Sequence, residues 1–229
     1  RPNVGKSTLL NHLIGQKVSI TARKPQTTRH RIIGIHSYEN TQAIYVDTPG
    51  MHTNAKKALN KQLNRTAFNA LKEVDVVLFV VTGTRWMPDD DWIVQRLIDI
   101  ETPVILLINK VDLVREKNSL MPHIQRIAGK MAFSDVIPMA AISGHNVEAV
   151  DKCVAKYLPV GEHLFPDDQL TDRTERFFVS EIIREKLIRY LGQEIPHSIA
   201  ISLDQFEVRE DKNIRDISAT IWVEREGQK

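Results

Sequence analysis

The chain has 229 residues, 42% apolar and 26% charged, with a net charge of +2. This is the composition of a soluble globular protein, long enough for one large domain or for an ordinary domain plus a smaller one. So small a net charge does not announce nucleic-acid binding by itself, although it leaves room for a local basic face. The longest apolar runs, "VVLFVV" and "VILLIN", have the length of buried strands and are far too short to span a bilayer.

Short apolar runs alternate with amphipathic segments from residue 1 to about 158. A helix is predicted over Lys6–Gly15, then strands at Arg31–His36 and Gln42–Asp47 and a helix around Asn54–Glu73. The strand Asp75–Val81, the helix Asp89–Ile100, the strand Pro103–Asn109 and the helix Glu116–Met131 follow. A strand at Asp135–Met139 and a helix at Asn146–Tyr157 complete the set. All-apolar strands between helices predict an α/β fold with a mostly parallel sheet. The lone cysteine, Cys153, falls in a helical pattern beside Val150 and Val154, which predicts a buried, inert thiol and fits a reducing, cytoplasmic setting.

The stretch 159–171, with its prolines and acidic residues, reads as a linker. Beyond it a helix is predicted over Asp172–Leu191, with Val179, Ile183, Leu187 and Leu191 on one face. Asp172 and Glu175 make a capping box and Gly192 a stop. On this helix Arg184, Lys186 and Arg189, with Arg173 at its start, are expected mainly on a solvated face. Alternating "SIAISLD" and "ISATIWVE" around "REDKN" predict a hairpin. A helix and one hairpin are a thin core, and both ends of the chain are expected to be truncated.

Five stretches carry chemistry. In "NVGKST", backbone N–H groups at a helix N-terminus can wrap phosphate oxygens, with Lys6 on the β- and γ-phosphates and the Ser7 hydroxyl on Mg²⁺. A helix that merely starts at a Gly-Lys-Ser turn would read the same. "YVDTPG" places Asp47 at a strand's C-terminal end, where it can hold a water on Mg²⁺, and offers the Gly50 N–H to a γ-phosphate. In "NKVD", Asp112 can accept from guanine N1–H and N2, donors that adenine lacks, which can discriminate by a factor on the order of 10⁴. Asn109 can bond the base edge and tie loops together, and the Lys110 stem can cover the ring. The basic loop "TARKPQTTRHR" offers Thr27 or Thr28 to Mg²⁺. "VIPMAAISG" offers the Ala141 N–H to guanine O6.

In this order the stretches resemble the translation-factor-related P-loop GTPases. With "RPNVGKSTLLN", "PQTTRHRI", "GTRWMPDD" and "VSEIIREKL" the resemblance narrows to the Era-like family, over nearly the whole chain. It implies a P-loop GTPase domain at 1–158 lacking its first strand, and at 172–229 the N-terminal part of a type II KH domain without its Gly-x-x-Gly loop. It further implies Mg²⁺-dependent GTP hydrolysis, binding to the 3′ region of 16S ribosomal RNA through a complete KH domain, and a part in 30S maturation. A monomer in the cytoplasm with peripheral inner-membrane association is implied as well. The matching site residues are Asn3, Val4, Gly5, Lys6, Ser7 and Thr8; Asp47, Thr48, Pro49, Gly50 and Met51; Asn109, Lys110, Val111 and Asp112; and Ala140 and Ala141. The family pattern favours Thr28 over Thr27. Lys6, Thr28, Asp47 and Gly50 are then the catalytic set, and Ser7 and Thr28 the metal ligands.

Three features depart from or qualify that pattern. Met51 stands where Ras-like enzymes orient water with Gln, so slow intrinsic turnover is expected. Asn3 resembles a loop residue that holds K⁺ in some relatives. Ala140 lacks the usual serine hydroxyl, which weakens the guanine site. A metabolic P-loop phosphotransferase and an RNA-binding module with a vestigial GTPase are the competing readings. "NKVD" argues against the former.

Overall fold

The structure, a computed structural model, is described at all residues except 23–26, 52, 54–57, 192–198, 210–213 and 224–229, and without the side chains of residues 58, 59 and 117. Its elements run α1 (Lys6–Ile14), β1 (Ile32–Tyr38), β2 (Thr41–Asp47), α2 (Ala58–Ala70), β3 (Val77–Thr82) and α3 (Pro88–Leu97). Then come β4 (Val104–Asn109), α4 (Lys117–Ala128), β5 (Asp135–Pro138), α5 (Glu148–Ala155), α6 (Glu175–Tyr190), β6 (Ala200–Arg209) and β7 (Ile214–Trp222). Among the described residues the elements agree with the sequence patterns to within about five residues at each end; the start of the helix expected around Asn54–Glu73 and most of the expected "REDKN" turn lie outside them.

β3, β4 and β5 form a parallel ladder, with Val77 opposite Val104 and Ile105 opposite Asp135. Every residue of β4 is buried, because helices cover both faces of this central strand. β1 and β2 pair with each other, antiparallel, as a second ladder. A cavity of about 450 Å³ lies between β2 and β3, lined by Leu9, Leu10 and Leu13 of α1 and by Ala43, Tyr45 and Leu78. Two apolar clusters fill the remainder: one around α1, α5 and β2, the other between α3 and β3–β4. Cys153 is buried in the first, as expected.

The linker is pinned down. Gln42 accepts from the Leu164 and Phe165 N–H groups and donates to the Phe165 carbonyl. Further on, the Ile35 N–H donates to the Leu170 carbonyl and the Thr171 hydroxyl to that of Ile33, so the segment lies along the outer edge of β1. This contact overturns the expected capping box. The chain is still tied to the β1 edge at Arg173, which donates to the Arg31 carbonyl, and the helix begins only after Thr174, whose hydroxyl accepts from the Phe177 N–H. Gly192 lies outside the described residues.

The buried face of α6 also differs from the expected one. Val179, Ile183 and Leu187 are half-buried and Leu191 is exposed, whereas Glu181, Arg184 and Glu185 are buried. These three sit at positions i, i+3 and i+4, one face of a helix. Arg184 is therefore no solvated side chain. Beyond α6, β6 and β7 form the predicted hairpin with an irregularity between Leu203 and Gln205. Among the described residues no helix is long and apolar enough to cross a membrane.

Candidate nucleotide site

The loop before α1 is shaped by glycine. Gly5 has φ 102, and a Cβ there would stand 2.2 Å from the Asn109 side-chain nitrogen, so any other residue would push the loop off its support. No side chain caps the helix and no acidic residue occupies its first turn. The α1 N-terminus thus keeps its N–H groups and positive dipole end for an anion. Half-buried Lys6 turns its ammonium back to the Arg1 carbonyl at 3.2 Å. Desolvation pushes its pKa below the ordinary lysine range, against the pull of Asp47.

Ser7, Thr28 and Asp47 converge. Ser7 Oγ lies 2.6 Å from Asp47 Oδ2 and 2.9 Å from Thr28 Oγ1. Thr28 Oγ1 is 3.3 Å from the same carboxylate oxygen, and Ser19 Oγ is 3.0 Å from it. Asp47 Oδ1 is buried with no hydrogen-bond partner among the described residues. Three hydroxyls gathered on one oxygen of a carboxylate whose other oxygen is left without a partner fit Mg²⁺, which takes oxygen ligands and keeps part of its water shell. It is Thr28, not Thr27, whose hydroxyl reaches this cluster. Ser19 was not foreseen from the sequence. Asn11 Oδ1, accepting from the Val18 and Ser19 N–H groups, delivers it there, and no motif marks such a long-range tie.

Asp47 ends β2, and Thr48, buried Pro49 and Gly50 lead away from it. A Cβ on Gly50 would lie 2.6 Å from the Pro2 nitrogen, so this turn packs directly on the start of the phosphate loop. Met51 is half-buried against the second apolar cluster. Arg1, beneath the loop, shares its Nε–H between both carboxylate oxygens of fully buried Asp90 at 2.9 and 3.0 Å and donates from a terminal nitrogen to Thr82 and the Arg85 carbonyl. Neither Arg1 nor Asp90 stood out in the sequence, since 89 residues separate them.

The base-side loops meet at Asn109. Its amide donates to the Val4 carbonyl at 2.7 Å, and its oxygen accepts from the Lys110 N–H at 2.8 Å and the Ala141 N–H at 2.9 Å. Of the two roles foreseen for Asn109, the structure displays the tie. The Ala141 N–H, expected to face guanine O6, is directed at Asn109 instead. Buried Ala140 donates to the His145 carbonyl. Lys110, at φ 64, stretches to the Asn3 carbonyl at 2.7 Å and so spans the gap between base loop and phosphate loop. Burial lowers its pKa. Val111 and Asp112 lie in a short 3₁₀ turn with Asp112 exposed, and Thr8 lies in the first turn of α1.

Residues 1–110 match a family described as 50S ribosome-binding GTPase. The chain is also similar to Era in complex with MgGDPNP and nucleotides 1506–1542 of 16S ribosomal RNA. Identity is 39% over 99% of this chain and 77% of that one, at a TM-score of 0.92. The chain belongs to the Era family of GTPases. Similarity to a variant of Aquifex aeolicus Era bound to GDP·AlF4⁻ is equally extensive, at 38% identity, with 99% of this chain and 77% of that one covered and a TM-score of 0.92. A probable GTP-binding protein, engB, aligns with 69% of the chain and 94% of its own at 25% identity and a TM-score of 0.52. The Era-family match therefore extends through α6 and the β6–β7 hairpin.

Proposed function

We propose that the chain binds GTP and Mg²⁺ at this site, hydrolyses GTP slowly, and couples its nucleotide state to binding of the 3′ region of 16S ribosomal RNA in the service of 30S maturation. The observation that carries the reading is the convergence of Ser7, Thr28 and Asp47 beside the open N-terminus of α1. Support for the partner comes from the Era neighbour held with MgGDPNP and a 16S ribosomal RNA segment.

In this reading the N–H groups of Gly5–Thr8 cradle the phosphates, and Lys6 turns from the Arg1 carbonyl to their oxygens. Ser7 and Thr28 would hold Mg²⁺, with Asp47 beside them to orient a water. When bound, the ion would supply neutralisation of phosphate charge. The Gly50 N–H meets the γ-phosphate. Asp112 reads guanine, and Lys110 covers its face. Met51 cannot orient water through a polar side chain, which is why turnover is slow, and Asn3 is the residue that would hold an assisting K⁺. The protein acts as a monomer in the cytoplasm, with loose association at the inner membrane.

The experiment is GTP hydrolysis measured with guanine and adenine nucleotides as competitors, with and without a 16S 3′ RNA fragment, in KCl and in NaCl. ATP competing as well as GTP would refute the guanine reading. Absence of RNA binding would remove the coupling, and equal turnover in the two salts would remove K⁺.

A further inference from the structure

The loop that carries Thr28 is gripped from α6 by charged side chains that no motif of the site includes. At its near end the Glu185 carboxylate, fully buried, accepts from the Thr21 N–H at 3.0 Å and from Lys17 at 2.5 Å. Arg189 donates to the Thr21 carbonyl and to Glu185. At its far end the Arg184 terminal nitrogen donates to the Thr27 carbonyl at 2.6 Å, and Arg29 returns a bond to the Ile199 carbonyl. Between these anchors, Thr21, Ala22, Thr27 and Thr28 line the cavity that faces Lys6 and Ser7.

Arg184 is built to hold one geometry. Its Nε and one terminal nitrogen fork onto Glu181, at 2.8 and 2.5 Å, which fixes the guanidinium plane. The second hydrogen of that terminal nitrogen is then aimed at the Thr27 carbonyl. A planar fork can serve a carboxylate and a carbonyl together, which a lysine ammonium on a flexible stem does not reproduce. The side chain is 4% exposed, so water does not compete for these bonds. The peptide bond it holds leads directly into Thr28, whose hydroxyl stands at Ser7 and Asp47.

We propose that Arg184 is a positioning residue for the metal site: from the C-terminal unit it fixes the Thr27–Thr28 backbone and so delivers the Thr28 hydroxyl to the divalent cation. The inference rests on the reading of Thr28 as a metal ligand. It makes the seating of α6 part of the metal site, so a ligand that lifts α6 would weaken the metal without touching the nucleotide. Residues that orient a metal ligand typically contribute about 10- to 100-fold in metal affinity.

The test is a Mg²⁺ titration of the binding of a fluorescent, non-hydrolysable GTP analogue, run on the parent, Thr28→Ala and Arg184→Lys. Arg184→Lys keeps a cation beside Glu181, and should raise the half-saturating Mg²⁺ concentration by about tenfold. GDP affinity at saturating Mg²⁺ should stay within about threefold of the parent's, because only the metal's ligand has been loosened. The paired variant Glu181→Leu with Arg184→Met removes both buried charges at similar volume, guards against a folding defect, and should shift the Mg²⁺ curve in the same direction. If Thr28→Ala shifts the curve and neither folded Arg184 variant does, the inference is overturned while the metal reading stands. If Thr28→Ala leaves the curve unchanged, the metal reading itself fails and takes the inference with it.

Discussion

Asn109→Ala is the substitution that most directly probes how the site is held. Asn109 is 2% exposed and joins three loops that are remote in sequence, through the Val4 carbonyl, the Lys110 N–H and the Ala141 N–H. Removing it leaves the Val4 carbonyl and the Ala141 N–H without partners in a buried setting, while the Lys110 N–H is nearer water. A buried orphan costs about 1–3 kcal/mol, so the two together give about 3 kcal/mol. For a chain of this size that is a melting temperature lower by about 6–12 °C. If binding must re-order the loops at a similar cost, GTP-analogue affinity falls by about 150-fold. Thermal unfolding followed by circular dichroism and titration of a fluorescent analogue give the two readouts. Asn109→Asp is the sharper variant, since it keeps both acceptor contacts but sets its own oxygen against that of Val4. A melting temperature within about 2 °C of the parent's, with affinity within about threefold, would refute the tie.

Asp90→Ala removes the carboxylate that holds the Arg1 Nε–H and accepts from the Met87 N–H at the head of α3. It should cost about 3–5 kcal/mol in urea unfolding, because Arg1 is left uncompensated. Asp91→Ala, which breaks a solvent-accessible pair with Lys130, should cost less than about 1 kcal/mol; equal losses would contradict the burial argument. The Cys153 thiol, pushed up to about 11 by burial and by Asp135, should resist a disulfide reagent at pH 8 and react once urea unfolds the chain. Fast reaction of the native protein would show that its helix opens. Glu185 supplies the pH prediction. Burial alone would raise its pKa, but Lys17, the Thr21 N–H and Arg189 together hold it below the ordinary 4.5. A depressed folded-state pKa means the unfolded chain binds more protons in that window, so stability is lost as pH falls below about 4.5. Urea midpoints from pH 7 to pH 3 should drop less steeply for Glu185→Gln, and parallel slopes would remove Glu185 from the acid response.

The nucleotide site was legible because its parts are local. Gly5-Lys6-Ser7, the Asp47 turn and the Asn109-Lys110-Val111-Asp112 turn each gather their candidate residues within a few positions of a helix start or a strand end. Buried strands such as β4 announce themselves by unbroken apolar runs. The α6 boundary was not legible in the same way. Asp172 and Glu175 satisfied a local capping pattern, but the tertiary pairing of Thr171 and Arg173 with the β1 edge postponed the helix to Thr174. The apolar stripe on α6 likewise pointed away from the face that the tertiary structure buries.

The sequence by itself determined the fold class and which loops are the candidates for phosphate, metal and base chemistry, because backbone geometry at a glycine turn or strand end is a short-range property. Only the tertiary structure decided which of two adjacent threonines meets Ser7 and Asp47, and that Ser19 joins them. It alone placed Asp90 beneath the phosphate loop and Arg184 behind Thr27. Charged residues such as Arg184 and Glu185 follow a helical spacing that a solvated face would share. Their burial depends on partners found at Lys17, Thr21 and Thr27, more than 150 residues away, and a desolvated ion pair has no local signature.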